Sequence, residues 1–101
     1  MSALANAARG ETALEIDGRP VRLCLTLGAL AELETAFDAT GLEQLAQRLA
    51  SVSAADLLII IAALSGEAGL TPAALSRAHI DVRAATIAVA EAFRLALDAP
   101  G

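Results

Sequence analysis

The sequence predicts an α+β fold: an N-terminal β-hairpin packed on a small bundle of about five α-helices. Three observations carry that prediction. Apolar and polar residues alternate on both sides of Asp17-Gly18, a strong signal for a tight hairpin. From Thr26 onward the apolar residues recur at helical spacing. The helical segments open on Thr, Ser or Asp, and glycines or prolines punctuate the chain between several of them. A chain of 101 residues suits one domain, expected over residues 11–98, with residues 1–10 a loose arm.

In the first strand Thr12, Leu14 and Ile16 alternate with Glu11, Ala13, Glu15 and Asp17; in the second, Val21, Leu23 and Leu25 alternate with Arg22 and Cys24. A two-residue turn at Asp17-Gly18 pairs Ile16 with Arg19, Leu14 with Val21 and Thr12 with Leu23. That register places the apolar side chains of a 12–25 hairpin on one face. It also puts Pro20 at a non-hydrogen-bonded position, where its missing N–H costs the ladder nothing.

Five helices follow, at about 27–38, 42–50, 54–65, 72–79 and 82–97. Thr26 can cap the first, which turns Ala29, Leu30, Leu33, Ala36 and Phe37 to one face and Glu34 and Asp38 to the other. Thr40-Gly41-Leu42-Glu43 reads as a capping box for the second, with Leu42, Leu45, Ala46 and Leu49 inward. Ser53 and Asp56 form another box at the start of the central helix, and Val52 can staple to Leu57. Leu57, Ile60, Ile61 and Leu64 make one stripe of that helix. Leu58, Ile59, Ala62 and Ala63 make the other, so it is apolar nearly all round. Such a helix is either enclosed or keeps one side for a partner. Gly66 and Gly69 end it; Thr71, with Pro72 in the first turn, opens the next. Asp81 can cap the last helix, with Val82, Thr86, Val89, Phe93, Ala96 and Leu97 facing inward and Ile87 exposed among charges.

Composition excludes several functions. The net charge is −5 and all seven basic residues are arginines spread along the chain, so no basic footprint for nucleic acid exists. The longest apolar run, Leu57 to Leu64, is far short of the ~20 residues that span a bilayer, and no membrane partner is expected. The N-terminus lacks a basic stretch followed by an apolar core, so no signal peptide is expected. With a single cysteine, a reducing, cytoplasmic setting is the default. One histidine with no lysine or tyrosine makes an enzyme unexpected. His79 could serve Ser76 or Cys24 as a base, but near a helix end a histidine more often meets terminal carbonyls. No cofactor or metal cluster is indicated.

The run Arg9-Gly10-Glu11, Leu14, Ile16-Asp17-Gly18, Leu23 and Leu25-Thr26-Leu27-Gly28-Ala29-Leu30-Ala31-Glu32-Leu33-Glu34 resembles the opening of a small family of gene transfer agents and related tailed phages. That family is described as tail tube or tail-assembly-chaperone-like. The resemblance implies a non-enzymatic assembly role with no catalytic residues to carry over. Chaperones of this kind coat the long helical tape-measure protein until tube subunits polymerise around it. The expected partners are therefore the tape-measure protein and the tail tube protein. A structural tail subunit, or a small adaptor unrelated to phages, is the alternative. Candidate contact residues are Leu58, Ile59 and Ala62 on the second side of the central helix, the exposed Ile87, and the acidic pair Glu34 and Asp38 for a basic partner. The open hairpin edges could also pair copies of the chain.

Overall fold

The computed structural model describes residues 10–98, so the expected arm over residues 1–10 lies, except for Gly10, outside the described residues. Strand β1 (Glu11–Ile16) pairs antiparallel with β2 (Arg19–Cys24), Ile16 opposite Arg19 and Thr12 opposite Leu23. Both turn residues have positive φ, 54° at Asp17 and 78° at Gly18, which makes a type I′ turn whose twist matches that of the strands. Leu14, Ile16, Leu23 and Thr12 are buried on the inner face. Ala13, Glu15, Pro20 and Arg22 are exposed on the other. Turn, register and facing all follow the expectation from sequence.

Helix α1 (Leu27–Phe37) is capped by Thr26, whose hydroxyl accepts from the Ala29 N–H at 3.1 Å. It ends where Asp38 turns left-handed at φ 49°. Ala36 is exposed rather than on the inner face, which Ala29 and Leu33 hold. Helix α2 (Gly41–Arg48) runs on into a 3-10 turn at Leu49–Ser51. Its expected capping box does not form, because Gly41 takes φ 84° and the Thr40 hydroxyl makes no capping bond. Two other side chains take over. Glu34 accepts from the Gly41 N–H at 2.6 Å, and Gln44 accepts from the Thr40 N–H at 2.8 Å.

Helix α3 (Ala54–Ser65) opens on the expected reciprocal box. The Ser53 hydroxyl accepts from the Asp56 N–H at 3.1 Å, and the Asp56 carboxylate accepts from the Ser53 N–H at 3.4 Å. A 3-10 turn at Gly66–Ala68 leads to Gly69, left-handed at φ 65°. Helix α4 (Pro72–Ser76) is capped by Thr71, which accepts from the Ala74 N–H at 3.1 Å. It is shorter than the expected 72–79 because the hairpin claims the backbone of His79. The His79 N–H donates to the Asp17 carboxylate at 2.7 Å, and its C=O accepts from the Asp17 N–H at 3.0 Å. Helix α5 (Val82–Asp98) starts on Asp81, whose carboxylate accepts from the N–H groups of Arg83 and Ala84.

The core lies where these elements meet: α3 packs against α1, α4 and β2, while α5 lies along β1. The buried face of α5 is Ala85, Ala88, Val89, Ala92 and Phe93. This corrects the expected facing of Val82, Thr86 and Leu97, which are all exposed. Alanines let the helix backbone come close to the hairpin, and the buried Thr12 hydroxyl donates to the Ala88 C=O at 3.1 Å across that contact. Rolling the helix onto its alanine face carries Val82 and Thr86 out to solvent. Among the described residues, no helix is long and apolar enough to cross a membrane.

Candidate partner-binding surface

The central helix α3 does not bury its second side completely. Leu58, Ile59, Ala62 and Ala63 are half-buried against the core, not enclosed by it, and so is Leu57, the one member of the first stripe that is not fully buried. The cover comes mainly from α1 and α4 rather than from α2. Because α4 stops at Ser76, the chain from Ala78 to Asp81 must cross to α5 in open conformation, and a groove of about 370 Å³ remains between α3, α4 and α5. Val52, Leu57, Leu58, Ile61, Leu75, Ile80 and Val82 are the larger apolar side chains of its lining. No ionisable side chain lines it; the polar contributors are Ser53, Ser76 and Thr86. Val82 stands 72% exposed at its rim. A groove of this chemistry can bury the apolar stripe of a helix.

Of the residues singled out by sequence, only Leu58 lines the groove. Ile59 and Ala62 are half-buried against the core beside it. Ile87 is 62% exposed on α5, outside the groove lining. Glu34 is half-buried and holds the Gly41 N–H, so its carboxylate joins α1 to α2. Asp38 is exposed at the end of α1, on a shallow cleft shared with Gln44, Gln47 and Arg48. The structure therefore does not bring the six into one patch. Ile80 was missed because it lies before the helix start and has no periodicity to read, and Val82 because the helical projection turned it inward. The signal that could have found Val82 is its position directly after the capping Asp81, where a helix end overhangs.

Electrostatic pairing sits elsewhere. Arg94 bonds Glu91 on one side and Asp98 at 3.0 Å on the other, along the outer face of α5. The Arg94 hydrogen bond holds the Glu91 carboxyl below its ordinary range, and Glu91 in turn strengthens the hold of the guanidinium on its proton. His79 is engaged through its backbone with Asp17, and the Ser76 hydroxyl donates to the Ala73 C=O at 2.7 Å. Among the described residues, no group of three or more His, Cys, Asp or Glu could hold a metal ion.

The family model described as "Phage tail tube protein, GTA-gp10" matches residues 9–99. Neither a curated protein nor a solved structure matches the chain. The match spans the hairpin and all five helices, and the chain belongs to this gene transfer agent tail family.

Proposed function

We propose that the protein is a non-enzymatic tail-assembly chaperone, working in the cytoplasm, that holds an apolar helical segment of the tape-measure protein in the groove between α3, α4 and α5. The observation that carries this reading is the groove itself: an apolar cleft without ionisable lining, left open by a central helix too apolar for solvent. An unassembled tape-measure helix would expose an apolar stripe, and burying it here would remove apolar surface of both partners from water. Family membership supports tail assembly as the setting.

Val82→Asp tests the reading with little risk to the fold, since Val82 is largely exposed and an acidic residue is favourable in the first turn of a helix. In co-expression, the variant should melt with the parent yet leave the tape-measure protein insoluble. Undiminished solubilisation by both Val82→Asp and Leu58→Asp would refute the groove as the client site.

A structural tail subunit is the second reading, favoured by the description of the matched family as a tail tube protein. Mass spectrometry of purified particles separates the two. A chaperone is absent from finished particles, whereas a subunit is present in many copies.

A further inference from the structure

The groove between α3, α4 and α5 has no ionisable lining, but its rim is charged. Arg83 follows Val82 on α5 and stands one turn before Thr86, both of the lining, so its side chain leaves the helix beside the cleft. Arg77 sits on the opposite bank, between the lining residues Ser76 and Ala78. Both arginines are exposed, and neither guanidinium has a hydrogen-bond or ion-pair partner among the described residues. Two carboxylates also lie at the rim, and both are committed to caps. Asp56 holds the Ser53 N–H at the start of α3, and Asp81 holds the Arg83 and Ala84 N–H groups of α5. The N-terminal ends of α3 and α5 open on the same groove, since Ser53 and Ala54 on one and Val82 and Ala85 on the other line it. With about half a positive charge at each of these ends, the groove side of the molecule is positive by roughly one unit. The hairpin turn beside it adds Asp17 and Arg19, which offset each other. The acidic excess of a chain with net charge −5 lies elsewhere, above all at Glu32, Glu34, Asp38 and Glu43 around α1 and α2.

Given the groove as the client site, on which this inference rests, we propose that the segment it selects is an amphipathic helix whose apolar stripe is bordered by carboxylates, placed to meet Arg83 and Arg77. The apolar stripe enters the cleft, while the residues bordering it stay at the rim, where the two guanidiniums stand. A carboxylate there gains a charge-assisted hydrogen bond with an arginine that has no partner of its own. A basic border would set like charges together and find no free carboxylate, because Asp56 and Asp81 are engaged at the caps. Net charge and local charge thus point opposite ways: the −5 of the whole chain attracts a basic helix, and the rim selects an acidic one. At physiological ionic strength, exposed charges more than about 8 Å apart are largely screened, so for a helix seated in the groove the rim decides.

Fluorescence anisotropy of two synthetic helical peptides with the full chain tests it. Both peptides carry the same stripe of Leu, Ile and Ala; one borders it with Glu and the other with Lys. At physiological salt the Glu peptide should bind about fivefold tighter or more, the size expected when two exposed ion pairs form rather than two like-charge contacts. Arg83→Glu should abolish or reverse the preference, and Arg77→Gln should reduce it. Both positions are exposed, and an acidic residue suits the first turn of α5, so melting curves should stay near the parent's. Val82→Ser, which removes apolar surface without adding charge, should weaken both peptides alike. Equal affinities, tighter binding of the Lys peptide, or a preference that Arg83→Glu leaves unchanged overturns the proposal and leaves the groove standing as a client site. Binding of neither peptide, or binding that Val82→Ser leaves undiminished, overturns the groove as the client site and the proposal with it. A chain that dimerises without peptide, in sedimentation equilibrium, through a contact that Arg83→Glu weakens makes a second copy the occupant and overturns the proposal too.

Discussion

Ile60→Ala probes the most heavily committed point of the core. Ile60 is 3% exposed and sits where α3 meets α1, α2 and α5. It borders a small void of about 30 Å³ together with Leu33, Phe37, Leu45 and Phe93, so the corner is already slightly underfilled. Truncation removes three carbons, worth about 2.4 kcal/mol at ~0.8 kcal/mol for each methylene. The remaining gap joins the existing void and is walled by groups on four helices, which limits collapse. The cavity term therefore adds to the transfer term, and a total of about 3–4 kcal/mol is expected, within the ~2–5 kcal/mol seen for such truncations. With a urea m-value of about 1.5–2 kcal/mol/M, the unfolding midpoint should fall by roughly 2 M. Ile60→Val, which removes one carbon, should lose only about 0.5–1.5 kcal/mol and calibrates the series. An Ile60→Ala protein that unfolds at the parental midpoint would place this side chain at the surface and refute the facing of α3.

Gly18→Val should lose about 1–3 kcal/mol in thermal unfolding, because a β-branched residue resists the positive φ of this turn position. A Cβ there would meet nothing within 4 Å, so the loss is a backbone effect, and Gly18→Asn should recover much of it. Thr12→Val keeps the side-chain shape but deletes the hydroxyl that bonds the Ala88 C=O; a loss of about 0.5–1.5 kcal/mol in urea unfolding is expected. A gain in stability instead would mean that this buried hydrogen bond contributes less than the methyl that replaces it.

Local chemistry made much of the fold legible in the sequence alone. Asp17-Gly18 specified the turn, the turn specified the register, and period-two alternation specified the face, all within fourteen residues. Thr26, Ser53, Thr71 and Asp81 marked four of the five helix starts, because a cap depends on the amides two or three residues ahead and on little else. The apolar stripe of Ile60, Ile61 and Leu64 and the exposure of Ile87 were readable from helical spacing. The family itself was visible in the opening motif, and the match over residues 9–99 bears that out.

What only the tertiary structure decided involves partners far apart in the chain. The start of α2 depends on Glu34, seven residues before Gly41, rather than on Thr40. The end of α4 depends on Asp17, 62 residues before His79. The facing of α5 was set by how closely an alanine surface can approach β1, which the bulk of Val82 and Leu97 disguised in a helical projection. The groove follows from the last two together: a shortened α4 and a rotated α5 leave Leu58 and Val82 on a common cleft. Capping and periodicity are properties of a few neighbouring residues, so a sequence displays them. Which face a helix turns inward, and where it stops when a distant backbone competes for its hydrogen bonds, are properties of the packed molecule.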